Sequence, residues 1–113
     1  MTPAEFAARI EYAWSRASAT TYTPEDPARG QCSVTAILAH RLLGGDILKT
    51  RVGDAWHWYN RIGGQRFDFT VAQFAVAPSY DDRPSDPEDA LRDTSAQQLA
   101  ALSAAFTSGR ATR

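Results

Sequence analysis

The hydrophobic pattern of the first residues predicts an amphipathic helix near the N terminus. Phe6, Ile10 and Trp14 recur at every fourth position, which is the spacing of one helix face. They follow a capping box that reads Thr2-Pro3-Ala4-Glu5, with proline at the first helical position. We therefore expect a helix that ends near Ala17 and packs its apolar face into a core.

A second helix is predicted to start at or just after Cys32. Apolar residues follow at helical spacing, namely Val34, Ile37, Leu38 and Leu42. Gly44 is a typical residue for the end of this helix, while Pro27 and Gly30 mark the loop before it. The thiol of Cys32 is therefore expected at a helix N terminus. His40 lies two turns further on, about 12 Å along the axis, and is expected at the surface.

Two extended runs separated by Gly63-Gly64 predict a β-hairpin with a two-residue turn. This turn pairs Ile62 with Gln65, Arg61 with Arg66, Tyr59 with Asp68, and His57 with Thr70. Because side chains alternate along a strand, one face carries His57, Tyr59, Arg61, Arg66, Asp68 and Thr70. The other face carries Trp56, Trp58, Asn60, Ile62, Phe67 and Phe69. We expect the second face to pack into the core, and the first to bring His57 and Asp68 into contact.

The segments around this hairpin are less regular. Residues 46–52 have the pattern of a strand, and Gly53-Asp54 is a turn that leads into the hairpin. Residues 71–77 are apolar and either extend a strand or form a short helical turn. Residues 78–89 are rich in proline and acidic residues, and we expect an exposed connector there.

Two helices are predicted at the C-terminal end. Asp86 is a candidate cap for a short helix, and Thr94 or Ser95 for a longer one that Gly109 ends. The apolar stripe of the longer helix consists of Leu99, Leu102 and Phe106. The last few residues are expected to be disordered.

Composition narrows the possible functions. The 113 residues suit a single domain over 1–113 with one core. Twelve basic residues balance thirteen acidic ones, so no basic field for nucleic acid is expected. The sequence contains no apolar run of membrane-spanning length, and we expect no signal peptide. The single cysteine, Cys32, cannot form an internal disulfide, and we expect a cytoplasmic protein.

Cys32, His57 and Asp68 together supply the parts of a cysteine-based catalytic triad. A helix N terminus favours the thiolate form of cysteine, which is the nucleophilic form. His57 would take the thiol proton, and Asp68 would orient the imidazole. Gln31 is either a loop-packing residue or, with the N–H of Cys32, a donor to the developing oxyanion.

This arrangement resembles the papain-like and transglutaminase-like core, and more closely the YunG family of small bacterial proteins. The blocks that carry the resemblance are Pro27-Ala28-Arg29-Gly30-Gln31-Cys32-Ser33-Val34-Thr35-Ala36, Gly44-Gly45-Asp46-Ile47-Leu48-Lys49, His57-Trp58-Tyr59-Asn60-Arg61, Asp68-Phe69-Thr70 and Gln73-Phe74. The resemblance implies an α+β fold, with N-terminal helices packed on a small antiparallel sheet and a C-terminal helix, and it implies a candidate triad. In papain-like proteases the oxyanion glutamine stands several residues before the cysteine, whereas Gln31 is adjacent to Cys32.

The predicted chemistry is acyl transfer through a thioester on an unknown peptide, protein or small amide, without a cofactor. The acceptor is left open between water, as in a peptidase, amidase or deamidase, and an amine, as in a transglutaminase. A different hypothesis is a non-catalytic binding or regulatory domain that retains the fold. Cys32, His57 and Asp68 could alternatively bind zinc, although no closely spaced ligand pair supports such a site. The hairpin aromatics could stack on nucleic acid, but no basic stripe accompanies them.

Overall fold

The fold combines helices with one antiparallel sheet, as the sequence predicts. The computed structural model describes residues 1–109. Its helices are α1 (Pro3–Ile10), α2 (Cys32–Leu43), α3 (Pro87–Leu91) and α4 (Ala96–Ser108). Its strands are β1 (Asp46–Val52), β2 (Ala55–Ile62), β3 (Gln65–Phe67) and β4 (Arg83–Ser85), and they form a sheet in the order β3-β2-β1-β4.

Helix α1 starts as predicted but is shorter than predicted. The capping box is present, because Glu5 N donates to Thr2 Oγ1 at 3.1 Å and Thr2 N donates to Glu5 Oε1 at 2.8 Å. The helix ends at Ile10 and not near Ala17. Serine side chains bond the backbone locally beyond that point, where Ser15 N donates to Ser18 Oγ at 3.0 Å. Such local bonds compete with helical ones, which explains the early end.

Helix α2 is the central element of the core. It begins at Cys32 and ends at Leu43, with Gly44 as its C-terminal cap, as predicted. Every position from Cys32 to Ala39 is buried, so the helix is covered on all sides over its first two turns. Leu42 is 46% exposed, so the predicted apolar face does not extend into the last turn. His40 is half-buried, which corrects the prediction of a surface residue.

The predicted hairpin is present in β2 and β3, but its ladder is short. The two pairs nearest the turn form as predicted, Ile62 with Gln65 and Arg61 with Arg66. The predicted outer pairs, Tyr59 with Asp68 and His57 with Thr70, do not form. Strand β3 ends at Phe67, and the chain turns away from the sheet there. Gly63 and Gly64 have φ angles of 59° and 79°, the left-handed conformation that a tight hairpin turn of this kind requires.

The predicted exposed connector over residues 78–89 is wrong in part, because it contains β4. This strand pairs antiparallel with β1, and Leu48 lies opposite Pro84. Proline has no N–H to donate, so within a sheet it is tolerated at an edge. In the sequence, the same residue favours the prediction of a loop. The preceding residues 71–73 form a single 3₁₀ turn, one of the two predicted alternatives.

Both faces of β2 are buried, so the expected division into a chemical face and a core face is incomplete. On the helix side, Trp58 is 4% exposed, and Asn60 Nδ2 donates to the carbonyl oxygen of Ala36 at 3.0 Å. On the opposite side, His57 and Tyr59 are 2% and 1% exposed. The chain after β3 covers that side and encloses the imidazole.

The C-terminal helices agree with the sequence prediction. Asp86 caps α3 by accepting from Asp89 N at 2.8 Å, and Ser95 caps α4 by accepting from Gln98 N at 3.1 Å. Helix α4 buries Leu99, Leu102 and Phe106, and it ends at Gly109. The prediction of disorder concerns final residues that lie outside the described range.

None of the helices within residues 1–109 combines the length and the apolar character that crossing a lipid bilayer requires.

Phe6 should contribute strongly to stability, because its ring is fully buried between two other aromatic rings. Its centroid lies 4.7 Å from that of Phe69 and 5.1 Å from that of Phe106. We expect Phe6→Ala to lower the free energy of unfolding by about 3–5 kcal/mol, measured by urea denaturation. The matched control is Phe67→Ala, which removes a half-buried ring and should cost clearly less. Equal losses in the two variants would contradict this account of the core.

Candidate active site

A buried imidazole–carboxylate pair forms the centre of the candidate site. His57 Nε2 lies 2.7 Å from Asp68 Oδ2, and the two side chains are 2% and 5% exposed. The contact between these two residues that the sequence predicts is therefore present. A hydrogen bond of this length in a dry environment fixes the imidazole ring and favours its charged form.

The early end of β3 brings Asp68 to the histidine. Instead of continuing along the sheet, the chain turns at Asp68 into the 3₁₀ turn, and Val71 N donates to the carbonyl oxygen of Asp68 at 3.3 Å. Asp68 Oδ1 accepts from Thr70 N at 3.2 Å and from Thr70 Oγ1 at 3.4 Å. These local bonds fix the carboxylate relative to its own backbone and leave Oδ2 to contact the imidazole.

Cys32 is the first residue of α2 and a free cysteine, 8% exposed. The N-cap residue, Gln31, makes no side-chain capping bond to the helix. The side chain of the cap therefore does not occupy the N–H groups of the first turn. Unpaired N–H groups and the helix dipole create a positive environment at this position, which suits a developing oxyanion.

The surroundings of His57 favour the imidazolium at neutral pH. Burial by itself lowers the pKa of His57, but the hydrogen bond to Asp68 and the nearby thiol of Cys32 outweigh it and raise the pKa from 6.5 to about 9. The other ring nitrogen, Nδ1, is buried and has no hydrogen-bond partner of normal geometry within residues 1–109. Nδ1 is therefore the nitrogen left to exchange a proton with the thiol.

Tyr80 is a member of the site that the sequence did not identify. Its hydroxyl donates to Asp68 Oδ2 at 2.7 Å, the same oxygen that His57 contacts. Burial and this bond raise the pKa of Tyr80 above its ordinary value. Phe74 closes the same side, with its ring edge-on to the imidazole at a centroid distance of 4.8 Å. The signal in the sequence was weak, namely one tyrosine within the polar stretch that was predicted to be an exposed connector.

Gln31 is completely buried and bonded to the loop after α1. Its Oε1 accepts from Ser18 Oγ at 2.8 Å, and its Nε2 donates to the carbonyl oxygen of Ser15 at 3.3 Å. These contacts match the loop-packing alternative. The role of Gln31 as an oxyanion donor stays a prediction. It would use the second N–H of the side-chain amide, since the first is bonded to Ser15.

A cleft of about 420 Å³ lies between the end of α1 and the loop that precedes α2. Much of its wall comes from residues 22–28, within the loop that leads to Cys32, and Ala72 contributes from the turn after Asp68. Trp14 also lines it, and its indole N–H donates to Thr35 Oγ1 in the first turn of α2 at 2.9 Å. None of Cys32, His57 and Asp68 lines this cleft, which Ala28 and Ala72 approach only from four residues away along the chain.

A metal centre finds no support in the side-chain arrangement. Across residues 1–109, no three histidine, cysteine or acidic side chains form a group that could hold a metal ion. The zinc alternative for Cys32, His57 and Asp68 thus lacks a ligand cluster in the described part of the chain.

Comparison with known proteins places the chain in a family. The family model described as YunG protein matches residues 2–110. The chain belongs to the YunG family. A YunG-family relative from Bacillus subtilis (strain 168), described as "Uncharacterized protein YunG", is 43% identical over 98 residues, which cover 87% of this chain and 85% of the relative. No solved structure shows a significant match to this YunG-family chain.

The raised pKa of His57 predicts a loss of stability at alkaline pH for this YunG-family protein. Because the pKa is about 9 in the folded state against an ordinary value of 6.5, the folded protein holds the proton more tightly than the unfolded chain. The resulting stabilisation is complete below pH 6.5 and is lost as the pH rises through 9. We expect the free energy of unfolding to fall by on the order of 3 kcal/mol across that range.

Chemical denaturation at a series of pH values measures this effect. The matched variant is Asp68→Asn, which keeps the size of the side chain but removes the charge that supports the imidazolium. We expect the free energy of unfolding to fall much less steeply with pH between 6.5 and 9 in this variant. Equal slopes in the two proteins would show that the His57–Asp68 pair does not hold the extra proton.

Proposed function

We propose that this YunG-family protein is a cysteine-dependent acyl-transfer enzyme that acts on an amide or ester through a thioester. The observation that carries the proposal is one constellation of three groups. A free cysteine begins a helix, its thiol is near enough to His57 to raise the pKa of the imidazole, and that imidazole is bonded to a buried carboxylate at 2.7 Å. Thiol, base and orienting acid in this order are the parts that nucleophilic cysteine catalysis requires.

In the first half-reaction, the thiolate of Cys32 attacks the substrate carbonyl carbon and forms a tetrahedral intermediate. The intermediate collapses to a thioester as the bond to the leaving group breaks. The imidazolium of His57 gives its proton, from Nδ1, to the leaving amine or alkoxide. Asp68 keeps Nε2 protonated and holds the ring in place, so that Nδ1 always faces the reacting atoms.

In the second half-reaction, the neutral imidazole removes a proton from the acceptor, which attacks the thioester. Water as acceptor gives a carboxylic acid, and an amine gives a new amide. In both cases Cys32 leaves as the thiolate, and His57 is again protonated. The N–H of Cys32 and the amide of Gln31 are our candidates for stabilising the oxyanion of each tetrahedral intermediate.

We further propose that the fold is a small version of the papain-like or transglutaminase-like core. The support is the order of elements, with the cysteine at the start of α2, the histidine on the following antiparallel sheet and the aspartate just after the next strand. Because the proposed nucleophile has to stay reduced, we assign the activity to the cytoplasm.

One observation favours a second candidate, a binding or regulatory domain that retains the fold without turnover. Cys32 is 8% exposed and His57 only 2% exposed, so the reacting groups are nearly covered. A substrate carbonyl has to reach the sulfur, which in an enzyme requires a movement of the covering segment. Reactivity of the thiol in the folded protein separates the two candidates.

The proposal predicts that Cys32 reacts with iodoacetamide at acidic pH, where an ordinary thiol is almost fully protonated. Labelling of the folded protein is followed by mass spectrometry from pH 4 to 9, and the single cysteine makes the result unambiguous. We expect appreciable labelling at pH 6, and a profile shifted to higher pH in His57→Ala. The matched control is His40→Ala, which removes the other histidine and should leave the profile unchanged.

A profile that follows an ordinary thiol, and that His57→Ala does not shift, would reject the catalytic pair and favour the binding domain. Where labelling is fast, electrophilic amide and ester probes with mapping of the adduct identify the acyl group that the site accepts. The same probes should fail to label Cys32→Ala.

A further inference from the structure

One oxygen of the buried carboxylate serves two donors at once. Asp68 Oδ2 receives His57 Nε2 at 2.7 Å and the hydroxyl of Tyr80 at 2.7 Å. The contacts of the other oxygen, with Thr70, are longer, at 3.2 and 3.4 Å. The two short hydrogen bonds of this carboxylate therefore come from the imidazole of His57 and the phenol of Tyr80.

Tyr80 is held in place by the segment that covers the site, residues 79–82. Buried Thr50 fixes one end, because its Oγ1 donates to the carbonyl oxygen of Ser79 at 2.9 Å and accepts from Asp81 N at 3.0 Å. At the other end, the hydroxyl of Tyr59 donates to Asp82 Oδ1 at 2.9 Å. Arg66 also binds Asp82 through two nitrogens, at 2.9 and 2.6 Å.

The ring of Tyr80 has contacts that do not involve its hydroxyl. Its centroid lies 4.8 Å from that of Tyr59, and the guanidinium of Arg66 lies 4.6 Å from its centre. These contacts keep the ring in position when the hydroxyl is removed. The ionisable groups around the imidazole and this phenol are Asp68, Cys32, Tyr59, Arg66 and Asp82.

The net charge of the His57–Asp68 pair decides whether the Tyr80 hydroxyl favours or opposes release of the proton from His57. When His57 loses its proton, the pair changes from a neutral imidazolium–carboxylate to a net negative imidazole–carboxylate. A hydroxyl donor on the carboxylate stabilises the negative state more than the neutral one, because in the ion pair the imidazolium already offsets part of the charge. The Tyr80 hydroxyl therefore favours release of the proton from His57.

We infer that Tyr80 is a positioning residue that acts through Asp68 and limits how tightly His57 holds its proton. The inference rests on the proposed function, in which His57 has to release its proton once in every cycle. Without the Tyr80 hydroxyl, Asp68 interacts more strongly with the imidazole, and His57 becomes a poorer proton donor to the leaving group and a less available base. Tyr80 does not touch the substrate in this scheme.

The test compares Tyr80→Phe with Tyr59→Phe. Each change removes one hydrogen-bonded hydroxyl, Tyr80 in the covering segment or Tyr59 beneath it, but only Tyr80→Phe removes a bond to Asp68. The titration of His57 is followed by NMR of its ring carbons, and the only other histidine, His40, provides the reference signal. We expect the pKa of His57 to rise by about one pH unit in Tyr80→Phe, a tenfold change in proton affinity, and to change much less in Tyr59→Phe, where Thr50 and Arg66 still hold the covering segment.

A stronger donor at the same position should act in the opposite direction. Replacement of Tyr80 by 3-fluorotyrosine keeps the ring and strengthens the O–H donor, so we expect a lower pKa for His57. This variant also covers the case in which Tyr80→Phe does not fold. An unchanged His57 titration in the folded variants, or shifts of equal size in Tyr80→Phe and Tyr59→Phe, would overturn the inference.

The labelling profile of Cys32 separates this inference from the proposed function. An ordinary thiol profile in the wild-type protein rejects the catalytic pair, whatever Tyr80 does. A perturbed wild-type profile together with identical His57 titrations in all variants keeps the proposed function and rejects only the role of Tyr80.

Discussion

The hydrogen bond between His57 and Asp68 is the interaction on which the rest of the site depends. Both side chains are almost fully buried, and burial of charged or polar groups is unfavourable unless each one is bonded. Asp68 meets this demand with bonds from His57, Tyr80 and Thr70. Strand β2, the start of the 3₁₀ turn and the covering segment each carry one of these partners, so the local structure after the hairpin is organised around a single carboxylate.

Helix α2 is subject to a second constraint. It has to fill the core of the protein and at the same time hold the thiol of Cys32 in place. Its first two turns are buried on all sides, and Asn60 of β2 bonds the carbonyl oxygen of Ala36 within them. The sheet that carries His57 is thereby docked against the helix that carries Cys32. A rigid helix and a rigid strand hold the two groups more reproducibly than loops could.

Local signals in the sequence were sufficient for much of this arrangement. The Gly63-Gly64 turn determined the hairpin register, and Cys32 and Gly44 marked the ends of α2, since these features act within a few residues of the chain. The sequence did not reveal β4 or Tyr80, because an edge strand with proline and an isolated tyrosine acquire their roles only from distant partners. The early end of α1 was missed for a related reason, since Ser15 and Ser18 replace helical bonds with side-chain bonds.

An imidazole with a pKa of about 9 is protonated at neutral pH, so His57 cannot start the proposed cycle as a base. In the first half-reaction of the proposed cycle this is an advantage, since the imidazolium can protonate the leaving group. Formation of the thioester then removes the thiol of Cys32 as one of the groups that raise the pKa of His57. Burial continues to oppose the charge, so the pKa falls when a base is needed to activate the acceptor. In the proposed cycle, acylation of Cys32 is therefore itself the event that converts His57 from an acid into a base.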